Sequence, residues 1–229
     1  MALLSDFASA ATINVDFNTT EAVAGTYSGT AVAPGPGTVW NGMVTGPKAG
    51  APLIPSVTSG PLLTSTGAAS LVTVSLGNFK AYDTVSDVRP SAVAQALMSD
   101  FVYQETLGTG GPNSTFAINN LNPAFTYDLY LYAQNGGYAS TATIFTIGGV
   151  SMTADNSGNI GSFVLNTNYV LYSGLIPNGA GTISGTFNDA RPSDNAAFNG
   201  LQLVEIVPEP AALSLVGLAG LLVLRRRRS

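Results

Sequence analysis

The composition and charge of the chain exclude several classes of functional site. Its 229 residues are 45% hydrophobic and only 9% charged, with 26 glycines and 13 prolines, which is typical of an exported all-β protein rather than a helical cytosolic enzyme. Histidine and cysteine are absent, which excludes Ser-His-Asp and Cys-His catalysis, thiolate metal sites and disulfides. Arg225, Arg226, Arg227 and Arg228 are four of the eight basic residues. The rest of the chain carries four basic and 13 acidic residues, so we expect no nucleic-acid partner.

Residues 1–10 resemble the end of a secretory signal peptide. Ala8, Ser9 and Ala10 match the small-residue pattern of a cleavage site, but no basic residue and no apolar run of about 7–15 residues precedes them. We therefore expect that the signal peptide is truncated or that the start codon is misplaced. The genomic sequence upstream of Met1 tests this expectation, and a stop codon immediately upstream would contradict it.

Residues 11–207 are predicted to form one domain of short strands separated by turns. Apolar patterns predict strands at 12–17, 70–79, 115–118, 127–133, 142–147, 150–153, 163–166, 169–172, 181–187 and 201–207. The strand at 127–133 is apolar on both faces except at Asp128, which predicts a central position in its sheet. Residues 33–69 are rich in proline, glycine, serine and threonine, which predicts a long surface excursion.

One short helix is predicted after Pro90, because Ser91 can cap a helix over residues 92–100. The residues that share one face of this helix are Val93, Leu97, Met98 and Phe101. A run of about nine to eleven strands with one helix predicts an all-β fold, a two-sheet antiparallel β-sandwich of the jelly-roll type.

Four segments resemble galactose-binding-like jelly-roll domains of exported bacterial proteins. These segments are 116–121, 127–132, 145–149 and 198–203. The resemblance extends over much of the domain but rests on strand patterning and contains no binding motif. It therefore implies a fold rather than a ligand.

Three residues of this domain are candidates for ligand binding. Trp40 is the only tryptophan and could stack on a sugar ring, although tryptophan more often anchors a core. Arg89 and Arg191 lie in two similar segments, Asp-Val-Arg-Pro-Ser at 87–91 and Asp-Ala-Arg-Pro-Ser at 189–193. These segments are either turns in which aspartate accepts backbone hydrogen bonds, or a pair of loops that bind a sugar or an anion.

An oxygen-rich turn at 155–159 is a candidate site for structural calcium. Calcium takes about six to eight oxygen ligands, and Asp155, Asn156 and Asn159 could supply several of them. The alternative is a hairpin turn, since asparagine and glycine tolerate positive φ. We expect no other cofactor.

A pair of carboxylates is the remaining route to catalysis. Glycoside hydrolysis needs two carboxyl groups about 5–9.5 Å apart in a cleft. The candidates are Asp83, Asp87, Asp100, Glu105 and Asp128. No signature singles out any pair of them, so the sequence predicts a protein that is not an enzyme.

The last 22 residues form a three-part segment. Pro208, Glu209 and Pro210 come first, an apolar run at 211–224 follows, and the arginine cluster 225–228 closes the segment. The apolar run is about 21 Å long as a helix, against a hydrocarbon core of about 30 Å, but arginine side chains can reach the interface and extend the span. We predict a single transmembrane helix at 211–224, whose topology the arginine cluster sets.

This three-part segment resembles the PEP-CTERM sorting domain of Gram-negative bacteria. The resemblance implies that an exosortase recognises Pro208, Glu209 and Pro210. It also implies that the exported protein stays transiently in the inner membrane until it is processed and released toward the cell surface or the extracellular matrix. The alternative is an ordinary tail anchor in which Pro-Glu-Pro occurs by chance.

Two functions remain for the 11–207 domain. The first is a non-catalytic, structural role at the cell surface or in the extracellular polysaccharide matrix. The alternative is a carbohydrate-binding module that acts on exopolysaccharide. A glycan array distinguishes them, because a purely structural protein should bind no glycan specifically.

Overall fold

The computed structural model describes residues 11–21, 25–48, 52–83, 95–105, 113–135, 142–155, 162–190 and 195–207. These residues form thirteen strands and one short helix, which confirms the prediction of an all-β fold with one helix. The elements are β1 (Thr12–Thr19), β2 (Asn41–Gly46), β3 (Ile54–Thr58), β4 (Thr73–Asp83), α1 (Gln95–Ser99), β5 (Asp100–Glu105), β6 (Ser114–Asn119), β7 (Thr126–Tyr132), β8 (Thr143–Ile147), β9 (Val150–Ala154), β10 (Tyr169–Leu175), β11 (Ile183–Asp189), β12 (Asn195–Phe198) and β13 (Gly200–Ile206).

The strands form two sheets, as predicted. One sheet has five strands in the order β10-β7-β13-β1-β2. The other has eight strands, of which seven follow the order β12-β5-β4-β6-β11-β8-β9 and β3 also pairs with β4. The strand β7 lies inside the five-stranded sheet between β10 and β13, which confirms the central position predicted from its two apolar faces.

One strand pair departs from the predicted antiparallel arrangement. The strands β1 and β2 run parallel, with Val15 opposite Asn41 and Phe17 opposite Met43. The segment between these strands causes the difference, because residues 25–40 run back along the face of β1 before β2 begins. A parallel pair needs such a crossover connection.

The two sheets pack face to face over one hydrophobic core. Alternation along β1 directs Ile13, Val15 and Phe17 into this core, which also contains residues of the eight-stranded sheet. Near its centre, the Phe198 ring lies 4.8, 5.6, 5.0 and 5.2 Å from the ring centroids of Phe17, Phe116, Phe145 and Phe187, respectively. This aromatic cluster joins both sheets.

The five-stranded sheet is also covered on its other face. Asn14 Nδ2 of β1 donates to Val39 O at 2.9 Å, and Gln202 Oε1 of β13 accepts from the backbone N of Ala33 at 3.0 Å. A second apolar cluster on this side contains Tyr27, Trp40, Leu97, Met98, Tyr130, Tyr132 and Val204. We call residues 25–40 together with α1 the outer cover, and beneath it every residue of β1 is buried.

The prediction of a long surface excursion at 33–69 is correct in that most of its described residues are exposed or half-buried, but the stretch is not a loop throughout. Residues 33–40 belong to the outer cover, and the same stretch contains the strands β2 and β3. Local composition suggests a loop, but the hydrogen bonds of β2 to β1 and of β3 to β4 join segments that are distant in sequence. Pairing with distant partners overrides local strand propensity.

The helix α1 is shorter than the predicted helix. It ends at Ser99, and residues 84–94, which include Ser91 and Val93, lie outside the described residues. Leu97 and Met98 are buried as expected, but Phe101 lies in β5. The strand β5 pairs with both β4 and β12. Its backbone N–H and C=O groups therefore form hydrogen bonds to these strands instead of extending the helix by another turn.

The strand predicted at 163–166 is a turn. Its backbone forms an isolated bridge between Leu165 and Tyr169, and Asn166 has a left-handed φ of 61°. The backbone N of Asn166 donates to Tyr169 O at 2.8 Å, which reverses the chain just before β10. The strands β2, β3, β5 and β12 have no counterpart among the predicted strands.

The chain crosses from one sheet to the other at a corner formed by Phe198, Asn199 and Gly200. Phe198 ends β12 and Gly200 begins β13. Between them, Asn199 Nδ2 donates to Asp100 O at 3.0 Å, and Asn199 Oδ1 accepts from the backbone N of Gln134 at 2.6 Å. This side chain therefore binds β5 of one sheet and the segment that follows β7 of the other.

The terminal segments lie outside the described residues. Residues 1–10 and 208–229 include the signal-peptide remnant, the Pro-Glu-Pro motif, the 211–224 segment and the arginine cluster, and the predictions for them stay predictions. Within the ranges that the structure describes, no helix is long and apolar enough to cross a membrane.

Candidate functional site

Trp40 lies in the interior and not on a binding surface. Its side chain is 7% exposed, and its Nε1 donates to Gly29 O at 2.9 Å. Its ring packs against Tyr27 at a centroid distance of 5.1 Å and against Tyr132 at 6.3 Å. The structure thus agrees with a core role for Trp40, and a ring so enclosed has no free face for a sugar.

The other predicted ligand residues fall mainly outside the described part of the chain. Arg89, Arg191, Asn156 and Asn159 all lie there. Asp155 is described, and its backbone N donates to Asn166 O at 3.0 Å. The arginine pair and the calcium turn therefore stay predictions.

Two of the candidate catalytic carboxylates do come together. Asp83 and Asp100 face each other across the β4–β5 ladder, and their side chains share a hydrogen bond. They are 1% and 0% exposed, so they do not line the open cleft that glycoside hydrolysis needs. Asp128 lies apart from them on β7, where its Oδ1 accepts from the backbone N of Gly174 at 2.9 Å. Asp87 and the Glu105 side chain lie outside the described residues.

A third buried carboxyl group, that of Asp16, lies close to Asp100. Asp16 is on the face of β1 beneath the outer cover, is 0% exposed, and accepts at Oδ2 from the backbone N of Tyr27 at 2.7 Å. Asp100 Oδ2 accepts from the backbone N of Thr19, also in β1, at 3.4 Å. We call Asp16, Asp83 and Asp100 the aspartate cluster.

Burial opposes the charged form of two members of this cluster, Asp16 and Asp100. Burial raises the pKa of Asp16 to about 8. The hydrogen bond from Tyr27 N lowers this pKa by less, and the charge of Asp100 raises it further. The pKa of Asp100 is raised to about 7, mainly by burial and next by the charge of Asp83. The hydrogen bond from Thr19 N and the charge of Lys48 lower this pKa, but by less. Near neutral pH, these carboxyl groups therefore need either a proton or a compensating positive charge.

Neutral oxygens beside the cluster also lack partners. Asn18 Oδ1 and Thr19 Oγ1, like Asp16 Oδ1 and Asp100 Oδ1, are buried and make no hydrogen bond within the described residues. A buried acceptor without a partner costs about 1–3 kcal/mol, so such atoms are rare in folded proteins. Among the described residues, no group of three or more His, Cys, Asp or Glu side chains is placed to hold a metal. Any cation here would therefore depend on neutral oxygens as well as carboxylates.

Asp16, Asn18 and Thr19 are not among the site residues predicted from the sequence. Asp16 and Asn18 alternate with Val15 and Phe17, which is the pattern of a strand with one face in water. The burial of that polar face depends on the outer cover, which contacts β1 from a different part of the chain. No local signal in β1 could therefore have revealed the site.

A shallow cleft of about 570 Å³ lies on the outer face of the eight-stranded sheet. Thr115 and Ser184 line it and are exposed, and Gly77 and Gly185 leave it open. A Cβ at Gly77 would come within 2.7 Å of Thr115 Oγ1, and one at Gly185 within 2.6 Å of Thr146 O. The lining exposes mainly apolar surface together with several hydroxyl groups, and it contains no charged side chain.

Comparisons with known proteins identify no family for this chain. No family model matches it, and no curated protein matches it. A solved structure of the exo-β-1,3-galactanase from Phanerochaete chrysosporium with galactose is similar to it at 19% sequence identity, with a TM-score of 0.28. The similarity covers 63% of this chain and 36% of that one, so the chain spans little more than a third of the galactanase.

Proposed function

We propose that this chain is an exported, non-catalytic protein of the cell surface or extracellular matrix, which an exosortase sorts through residues 208–229. The observation that carries the proposal is the position of Pro208, Glu209 and Pro210. The last described strand ends at Ile206, so one residue separates it from this motif. Processing near Pro-Glu-Pro would therefore leave every described strand in the released domain.

The described domain is suited to such a role. Its core forms from two sheets without any cysteine, so the fold requires no disulfide after export. Few of its residues are charged, and acidic residues outnumber basic ones. The resulting net negative charge disfavours binding to nucleic acid. We assign the sandwich to the galactose-binding-like jelly-roll type on the four segments that resemble it.

Deletion of residues 208–229 should move the protein from the cell surface to the soluble fraction. The deletion removes the predicted recognition motif, the apolar run and the arginine cluster together, and it leaves all described strands in place. Cell fractionation followed by immunoblotting in a Gram-negative host with an exosortase measures the distribution. Surface attachment that is unchanged after the deletion would contradict the proposal.

Two controls separate sorting from simple anchoring. In a host that lacks the exosortase, the full chain should stay unprocessed in the inner membrane. The Glu209→Ala variant should behave in the same way in a host that has the enzyme, whereas Leu71→Ala, a change at an exposed position of the domain, should be sorted normally. An ordinary tail anchor would give the same unprocessed membrane form in both hosts.

A carbohydrate-binding module is the second candidate function, and the cleft on the eight-stranded sheet favours it. If the domain is purely structural, a glycan array should show no specific signal. Specific binding that disappears in the Thr115→Ala, Ser184→Ala double variant would instead assign glycan recognition to the cleft. Both side chains are exposed, so the double variant should fold normally.

A further inference from the structure

Four buried oxygen atoms without partners belong to three residues at the end of β1 and to the first residue of β5. They are Asp16 Oδ1, Asn18 Oδ1, Thr19 Oγ1 and Asp100 Oδ1. The Thr19 N–Asp100 Oδ2 distance of 3.4 Å joins the two strands at this point. Asp16 and Asn18 point to the same face of β1, where Tyr27 N and Thr26 Oγ1, neighbours in the outer cover, bind them at 2.7 and 3.0 Å.

Protons alone leave this group of atoms incompletely satisfied. A proton on Asp16 or Asp100 neutralises one carboxyl group and provides a single donor. The Asn18 and Thr19 oxygens would still need donors of their own. Lys48 is the nearby cation whose charge acts on Asp100, and its Nζ lies over the Tyr82 ring, 5.3 Å from the ring centroid. A compensating positive charge in direct contact with all four oxygens would satisfy them together.

We propose that Asp16 and Asp100, with the side-chain oxygens of Asn18 and Thr19, bind a divalent cation that joins β1 to β5. Two carboxylates, an amide oxygen and a hydroxyl are hard oxygen ligands, the kind that calcium and magnesium prefer and that soft metals do not. The ion would link the first strand of the five-stranded sheet to a strand of the eight-stranded sheet. It would act as a structural ion, since all four residues are buried, and bound water would complete its coordination. This site is separate from the predicted calcium turn at 155–159.

Thermal unfolding of the purified full chain in non-ionic detergent tests the proposal. The melting temperature at pH 7.5 is measured in EDTA, in calcium chloride and in magnesium chloride. At a cation concentration a hundredfold above Kd, we expect a rise of about 5–10 °C over the EDTA value. Terbium supplies a readout that does not depend on stability, because Tyr27 and Trp40 lie beside the site and can sensitise its emission.

Isosteric variants test whether the cation that raises the melting temperature binds at Asp16 and Asp100. Asp16→Asn and Asp100→Asn should each lose the cation-dependent rise and the terbium emission. In EDTA, Asp16→Asn should melt at a higher temperature than the wild type, since an amide avoids the cost of burying a carboxyl group that is ionised in the unfolded chain. In calcium it should melt at a lower temperature than the wild type. Asp128→Asn is the matched control and should keep the full rise, because Asp128 lies on β7 and binds Gly174 N.

Two results would overturn the proposal. If neither calcium nor magnesium shifts the wild type by more than about 1 °C and terbium emission is absent, Asp16 and Asp100 are neutralised by protons alone. If a shift occurs but persists in Asp16→Asn and Asp100→Asn, the cation binds elsewhere. Loss of the shift in Asp155→Asn would then place it at the 155–159 turn.

Discussion

The Phe198→Ala variant should lose about 3–5 kcal/mol of unfolding free energy, the range measured when a buried phenylalanine is truncated. Phe198 is fully buried, and its ring contacts four other phenylalanine rings, of which one belongs to β1 and three to strands of the eight-stranded sheet. Truncation would leave a cavity between the two sheets. The surrounding rings are large and flat, so they cannot collapse fully into that space.

Chemical denaturation monitored by circular dichroism measures this loss. Leu71→Ala is the control, because Leu71 is 77% exposed and its truncation should change stability by less than about 0.5 kcal/mol. Phe198→Leu should fall between these values, since it keeps part of the apolar volume. Equal losses in Phe198→Ala and Leu71→Ala would show that Phe198 does not occupy the centre of the core.

The Gly200→Ala variant should lose about 3 kcal/mol, the upper end of the usual range for overpacking. A Cβ at this position would collide with the backbone oxygen of Val15 and come within 3.0 Å of Leu97 Cδ1. Val15 belongs to the neighbouring strand β1 and Leu97 to the outer cover. The added methyl group would therefore push β13 away from β1 and from α1 together.

Gly60→Ala is the matched control for this substitution. A Cβ at Gly60 would have no neighbour within 4 Å, so the variant should be as stable as the wild type or slightly more stable. Both variants are compared by the denaturation experiment used for Phe198. A Gly200→Ala variant as stable as Gly60→Ala would mean that β1 and β13 can separate without cost at this point.

The sequence predicts the fold best where apolar and polar residues alternate along the chain. Strands such as β1, β7 and β11 carry apolar residues every second position or on both faces, and each of them lies within two or three residues of its predicted range. The outer cover is the main difference. Residues 33–40 contain glycine and proline and lack periodicity, and their packing on β1 and β13 depends on distant hydrogen bonds such as those of Asn14 and Gln202.

The candidate site was less accessible to sequence reasoning than the fold. Asp83 and Asp100 are both among the predicted catalytic candidates, but only the β4–β5 pairing places them opposite each other. Asp16 belongs to an ordinary alternating pattern. Its face of β1 is buried only because the outer cover packs on it. Burial of a polar strand face is a tertiary property, so neither residue type nor spacing reports it.

The place of β13 in the five-stranded sheet limits the order in which the domain can fold. It lies between β7 and β1, and its Val204 pairs with Thr12 at the opposite end of the domain sequence. Until residues 200–206 are available, β10–β7 and β1–β2 remain two separate strand pairs. The core between the two sheets therefore cannot close until β13 is in place, and contacts across so many residues make that closure a slow step.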